Sequence, residues 1–114
     1  VILSILRQLD DEANEMNTKH SVLTRRIIRY VQKNYNTSFT NAELTRLFPF
    51  NPIYINRVFK KYTGISAKHY YLNLRTIEAS NLILSGATIR EIADKMNFSS
   101  PNYFTTFFKK QTKL

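Results

Sequence analysis

Residues 51–61, NPIYINRVFKK, return 49 positions later as residues 100–110, SPNYFTTFFKK. Each copy opens on a residue able to cap a helix, Asn51 or Ser100, followed by a proline suited to the first helical position, Pro52 or Pro101. Within each copy the residues fall into two stripes. Ile55, Val58, Phe59 and Tyr62 share one helical face, as do Phe104, Phe107, Phe108 and the less apolar Gln111, which is the pattern of a helix laid on a core. The opposite stripe carries Ile53, Asn56, Arg57 and Lys60 in the first copy and Asn102, Thr105, Thr106 and Lys109 in the second. Most of these are short or bidentate hydrogen-bonding groups, the types that read base edges in a major groove.

The repeat extends upstream. TNAELTRLFPF at 40–50 matches TIREIADKMNF at 88–98 with an offset of 48, so the second copy gains one residue in the turn that follows. In both, Thr-x-x-Glu (Thr40 and Glu43, Thr88 and Glu91) predicts a capped helix start. Pro49 stands in the first inter-helix turn, where a helix does not easily continue. Each unit therefore reads as helix, tight turn, helix, the layout whose second helix enters the groove.

Between the units, Ser66 predicts the start of a long connector helix reaching about Leu84, with Gly64 before it as a C-terminal cap and Gly86 ending it. Its inner side is expected to carry Tyr70, Leu74, Ile77 and either Leu82 or Leu84. Such a rod spans about 28 Å, long enough to hold two readers roughly 34 Å apart, one turn of DNA. Ahead of the units, Ser21 is expected to cap a scaffold helix through about Asn34, with Val22, Leu23, Ile27, Ile28 and Val31 inward. Arg25, Arg26, Arg29 and Lys33 then face out, and NYNTS at 34–38 reads as a loop.

The composition agrees with an all-α chain: there are two glycines, three prolines and 15 phenylalanines and tyrosines at helical spacings, and no alternating strand-like run. No apolar run approaches the roughly 18 to 20 residues of a membrane span. The absence of cysteine removes thiol nucleophiles, disulfides and thiolate metal sites, and suits a cytoplasmic setting. His20 and His69 have no neighbouring ligand at metal spacing, and neither a glycine-rich phosphate loop nor a Ser/His/Asp set is present. The expectation is a protein that is not an enzyme, with no catalytic residue, metal or cofactor.

Charge divides the chain. The formal net charge is +9, but residues 1–17 hold a net −3, which leaves +12 on residues 18–114. A basic helical body predicts a polyanion partner for the body alone. In the acidic leader, Ile2, Leu6, Leu9, Ala13 and Met16 recur at spacings of 4, 3, 4 and 3. That seam reads either as a dimer or interdomain helix or as a surface helix or tail. Residues 1–20 are thus taken as a leader and 21–114 as one domain, with helix-turn-helix units at about 40–62 and 88–110 and the connector at 66–84.

Over residues 21–110 the chain resembles the AraC/XylS family of bacterial transcription regulators. The resemblance rests on Ile92-Ala93, on Phe98-Ser99-Ser100-Pro101-Asn102-Tyr103-Phe104, on Phe107-Phe108-Lys109-Lys110, on Tyr54 to Gly64 and on Ser66 to Tyr70. It implies two helix-turn-helix units on one connector helix, meeting adjacent major-groove segments on one face of double-stranded DNA. By position it makes Ile53, Asn56, Arg57, Asn102, Thr105 and Thr106 base-facing. Phosphate contacts are expected from Lys60, Lys61, Thr88, Arg90, Ser99, Ser100, Lys109 and Lys110, at helix starts and on basic flanks. Thr106 stands where many relatives carry arginine, which predicts weaker reading by the second helix; Lys113 stands where they carry glycine, and their closing segment does not follow. The resemblance also implies contact with RNA polymerase, as activators make, and a preceding N-terminal region that senses a ligand or forms a homodimer. Two other readings of the residues stay open, a helical protein-interaction module and a sequence-blind architectural DNA binder.

Overall fold

Six helices follow one another in the computed structural model, which describes residues 19–113. They are α1 (19–34), α2 (Asn41–Leu47), α3 (Pro52–Thr63), α4 (Ala67–Leu84), α5 (Ile89–Lys95) and α6 (Pro101–Thr112). No strand occurs among the described residues. The leader seam of Ile2, Leu6, Leu9, Ala13 and Met16 lies outside them.

The starts of α2 to α6 are fixed by side chains accepting backbone N–H groups that a helix cannot satisfy itself. Thr40 takes the Glu43 N–H, Asn51 the Ile53 N–H at 2.7 Å, Ser66 the His69 N–H, Thr88 the Glu91 N–H and Ser100 the Tyr103 N–H at 3.0 Å. Proline occupies the first position of both α3 and α6. One sequence expectation fails here: α1 already includes Lys19 and His20, so Ser21 lies inside the helix instead of capping it. Val22, expected inward, is exposed, because the buried row of α1 is Leu23, Ile27 and Val31.

Two cores result. The first joins Leu23, Ile27 and Val31 of α1 with Phe39, Leu44, Phe48, Ile55, Val58, Phe59, Ala67 and Tyr71. The second gathers Ala79, Ile92, Ala93, Met96 and Phe104, flanked by Leu82, Phe98, Phe107 and Phe108. The repeat is therefore packed unequally. Val58 and Phe59 are buried, whereas their counterparts Phe107 and Phe108 are half-buried. Tyr62, expected inward, is also exposed, its ring edge-on to His20 at 6.3 Å.

The connector α4 serves both cores, and its buried row is Ala67, Tyr71, Arg75 and Ala79. Tyr70 and Leu74 pack on the first core and Leu82 on the second, but Ile77 is 56% exposed and Leu84 85% exposed, against expectation. A row spaced by four residues drifts about 40° per step around a helix of 3.6 residues per turn. From Ala67 to Ala79 the buried line thus swings by roughly a third of a turn, from one core to the other. A fixed apolar stripe cannot describe such a helix.

The repeat also supplies a matched pair of helix ends. Gly64 closes α3 in the left-handed region at φ 83°, and Lys113 closes α6 there at φ 58°. A Cβ on Gly64 would meet nothing within 4 Å, so its replacement carries a conformational penalty alone. Gly64→Ala is expected to destabilise by about 1 kcal/mol and Lys113→Gly to stabilise by under about 1 kcal/mol. Urea unfolding of both variants checks the opposite signs.

Candidate nucleic-acid interface

The face of α3 opposite Ile55, Val58 and Phe59 is built by Ile53, Arg57 and Lys60, all exposed, with Lys61 beside them. Ile53 is 71% exposed, a large apolar side chain left in solvent on a polar stripe. The corresponding face of α6, opposite Phe104, exposes Asn102, Thr106 and Lys109, with Lys110 at its margin. Residues four apart lie over one another on a helix, so Ile53 and Arg57 form one short row and Asn102 and Thr106 another. Both rows begin within the first turn, at the positive end of the helix dipole, which favours anions.

Two of the six base-facing candidates are engaged with the chain itself. The Asn56 Oδ1 accepts the Ala67 N–H at 3.3 Å, tying α3 to the start of the connector, and its side chain is half-buried. The Thr105 hydroxyl donates to the Pro101 carbonyl at 3.0 Å, one turn back in its own helix, and is also half-buried. Among the phosphate candidates, Lys60, Lys61, Arg90, Ser99, Lys109 and Lys110 are exposed. Thr88 and Ser100 already cap α5 and α6, and the Thr88 hydroxyl also donates to the Glu91 carboxylate at 3.1 Å.

The groups that link the two helix-turn-helix units were not among the candidates. Arg75 of α4 is buried at 7% exposure, its guanidinium donating to the carbonyls of Tyr35 and Met96. Tyr71, one turn earlier, donates its hydroxyl to the Thr37 carbonyl; burial pushes that phenol above its ordinary value despite the opposing charge of Arg75. Asn97 sits in the turn before α6 at φ 59°, and its Nδ2 donates to the Asn36 carbonyl at 3.0 Å. These residues border a cleft of about 710 Å³ between the units, which Lys68, Ser99 and Tyr103 also line. A signal for Tyr71 and Arg75 existed: at an offset of 48 the buried row Leu23, Ile27, Val31 of α1 falls on Tyr71, Arg75 and Ala79.

Among the described residues no cluster of three or more His, Cys, Asp or Glu could hold a metal, and no helix is long and apolar enough to cross a membrane.

A family model described as a helix-turn-helix domain matches residues 44–114, well over half of the sequence. The chain belongs to the AraC-type helix-turn-helix family. Similar proteins include the bifunctional transcriptional activator and DNA repair enzyme AdaA of Bacillus subtilis, 32% identical over 75% of this chain and 41% of that protein. The transcriptional regulatory protein HptR of Staphylococcus aureus is 28% identical over 77% of this chain and 35% of its own length. The chain thus spans less than half of these curated relatives. Among solved structures, the C-terminal domain of AraT, a response regulator from Geobacillus stearothermophilus, superposes with a TM-score of 0.71 at 31% identity, covering 81% of this chain and 78% of that one.

Within this AraC-type domain, engagement and exposure predict opposite behaviour for neighbouring residues. Asn56→Ala is expected to cost about 1 kcal/mol of stability, since it strips an acceptor from a helix start, while Asn56→Asp retains it. Arg57→Ala, on the exposed stripe, is expected to stay within about 0.5 kcal/mol of the wild type. Thermal unfolding of the three variants checks this ordering.

Proposed function

We propose that this domain is a DNA-binding transcription regulator that reads two successive major-groove segments on one face of the duplex, with α3 and α6 as its two reading helices. The observation that carries the proposal is the doubled stripe. Two helices, each opened by a side-chain cap and a proline and each laid on a core by its apolar face, expose short polar or bidentate groups on the opposite face, on a body with net charge +12. A sequence-blind binder needs only the charge, and the repeated stripe favours the reader.

In this reading, Arg57 makes the strongest base contact, because a guanidinium pairs with guanine O6 and N7 in the major groove, worth about 1–3 kcal/mol of discrimination. Ile53, one turn before it, offers an apolar surface suited to a thymine methyl. Asn102 and Thr106 read from α6, with less discrimination than an arginine would give. Asn56 retains its amide Nδ2 as a donor, while its oxygen and the Thr105 hydroxyl serve the chain's own geometry first. Lys60, Lys61, Lys109, Lys110 and Arg90 neutralise phosphates and set the register. Ser99, Ser100 and Thr88 stand where helix starts present N–H groups to an anion. Contact with RNA polymerase, dimerisation through an N-terminal region and a cytoplasmic location follow from the family resemblance and belong to the same proposal.

Binding of wild type and variants to preferred and scrambled duplexes, at two salt concentrations, tests the reading. Arg57→Ala is expected to lose about 1–3 kcal/mol on the preferred duplex and much less on the scrambled one. Lys109→Ala is expected to weaken binding to both equally and to reduce the slope of log K against log salt by about 1. A uniform loss for Arg57→Ala across all duplexes would make it a phosphate contact and remove the base-reading claim.

A further inference from the structure

We propose that Arg75 is a positioning residue that sets the separation between the two DNA segments this domain reads; the proposal rests on the two-reader reading above. The guanidinium lies where the ends of two helices from different units meet. Tyr35 directly follows α1 and Met96 directly follows α5, and the carbonyl of each accepts from one Arg75 nitrogen, Nη1 for Tyr35 and Nη2 for Met96 at 3.1 Å. Helix C-termini carry unsatisfied carbonyls and partial negative charge, so one buried cation serves both ends at once.

Aromatic rings enclose the group. Its central carbon sits 4.4 Å from the Phe98 ring centre, 5.6 Å from Tyr71 and 6.0 Å from Phe107. Phe98 and Phe107 belong to the second unit and Tyr71 packs on the first core, so the guanidinium is gripped from both sides. The planar fork is what the position requires: lysine offers a point charge without the spread to two fixed acceptors. A parallel link, Asn97 Nδ2 to the Asn36 carbonyl, joins the same two segments.

Both links join segments that lie upstream of the readers, one ahead of α2 and one in the turn before α6. Residues 35–37 lead into α2 and so to α3, and residues 96–97 form the turn into α6. A change of the distance between these segments therefore moves α3 relative to α6, with neither reading stripe altered. Arg75 touches no base in this scheme; it determines which spacing of sites both helices can engage together.

The test measures the affinity of wild type, Arg75→Lys, Arg75→Met and Asn97→Gly for duplexes whose two preferred blocks are separated by −2 to +2 base pairs around the optimum, and for duplexes with one block. Wild type is expected to show a sharp optimum. Arg75→Met is expected to bind at least tenfold more weakly at that optimum and nearly equally across ±1 base pair, with one-block affinity unchanged within threefold; Arg75→Lys falls between. Asn97→Gly, which keeps the left-handed turn without strain, is expected to broaden the optimum in the same direction, and Arg75→Lys decides the matter if Arg75→Met does not fold. An Arg75→Met profile as sharp and as tight as wild type, or an equal loss on one-block and two-block duplexes, would overturn the role of Arg75. With Arg75→Met unfolded, an Arg75→Lys profile as sharp and as tight as wild type would do the same. A wild type without any spacing optimum would instead sink the two-reader reading on which the role rests.

Discussion

A buried cation between two helix ends is the constraint on which this arrangement depends. Burying a guanidinium is costly unless its donors are met, and here carbonyls from two units and three aromatic rings meet it. Because the acceptors belong to different units, satisfying Arg75 and docking the units are the same event. The cleft between the units is bordered by this linkage, and α4 supplies the rod along which it is mounted.

Around that linkage the duplicated unit does its work with inexpensive means. A threonine, asparagine or serine at each helix start, a proline behind two of them and a left-handed closing residue define where α2 to α6 begin and where α3 and α6 end. Apolar residues on one side of α3 and α6 then leave the other side exposed to solvent. The copies are unequal in packing: α1 and the first half of α4 enclose the first core, while Phe107 and Phe108 of the second remain half-buried. Arg57 thus stands on the helix of the better enclosed half.

Much of the fold was legible because capping and helical periodicity are local. The duplication, the turn positions and the stripes of α3 and α6 follow from residues within a few positions of one another. What escaped was set by tertiary geometry. Arg75 has no local signal, since only the alignment of α1 with α4 places it on a buried row, and Ile77 reads as core although the drift of that row leaves it outside. Ser21 has the chemistry of a cap but stands inside α1, since nothing local distinguishes a capping serine from an interior one. Asn56 and Thr105 carry groups equally suited to bases and to backbone, and only the nearness of Ala67 and of the Pro101 carbonyl shows which they hold in the free chain.

Selection of binding sites from a random duplex library at near-physiological salt tests the central claim most directly. Two short preferred blocks about one helical turn apart are the predicted result, each block requiring its own reading helix. A single block would leave α6 without a reading role, and the absence of any enriched sequence would contradict sequence-specific recognition by this domain.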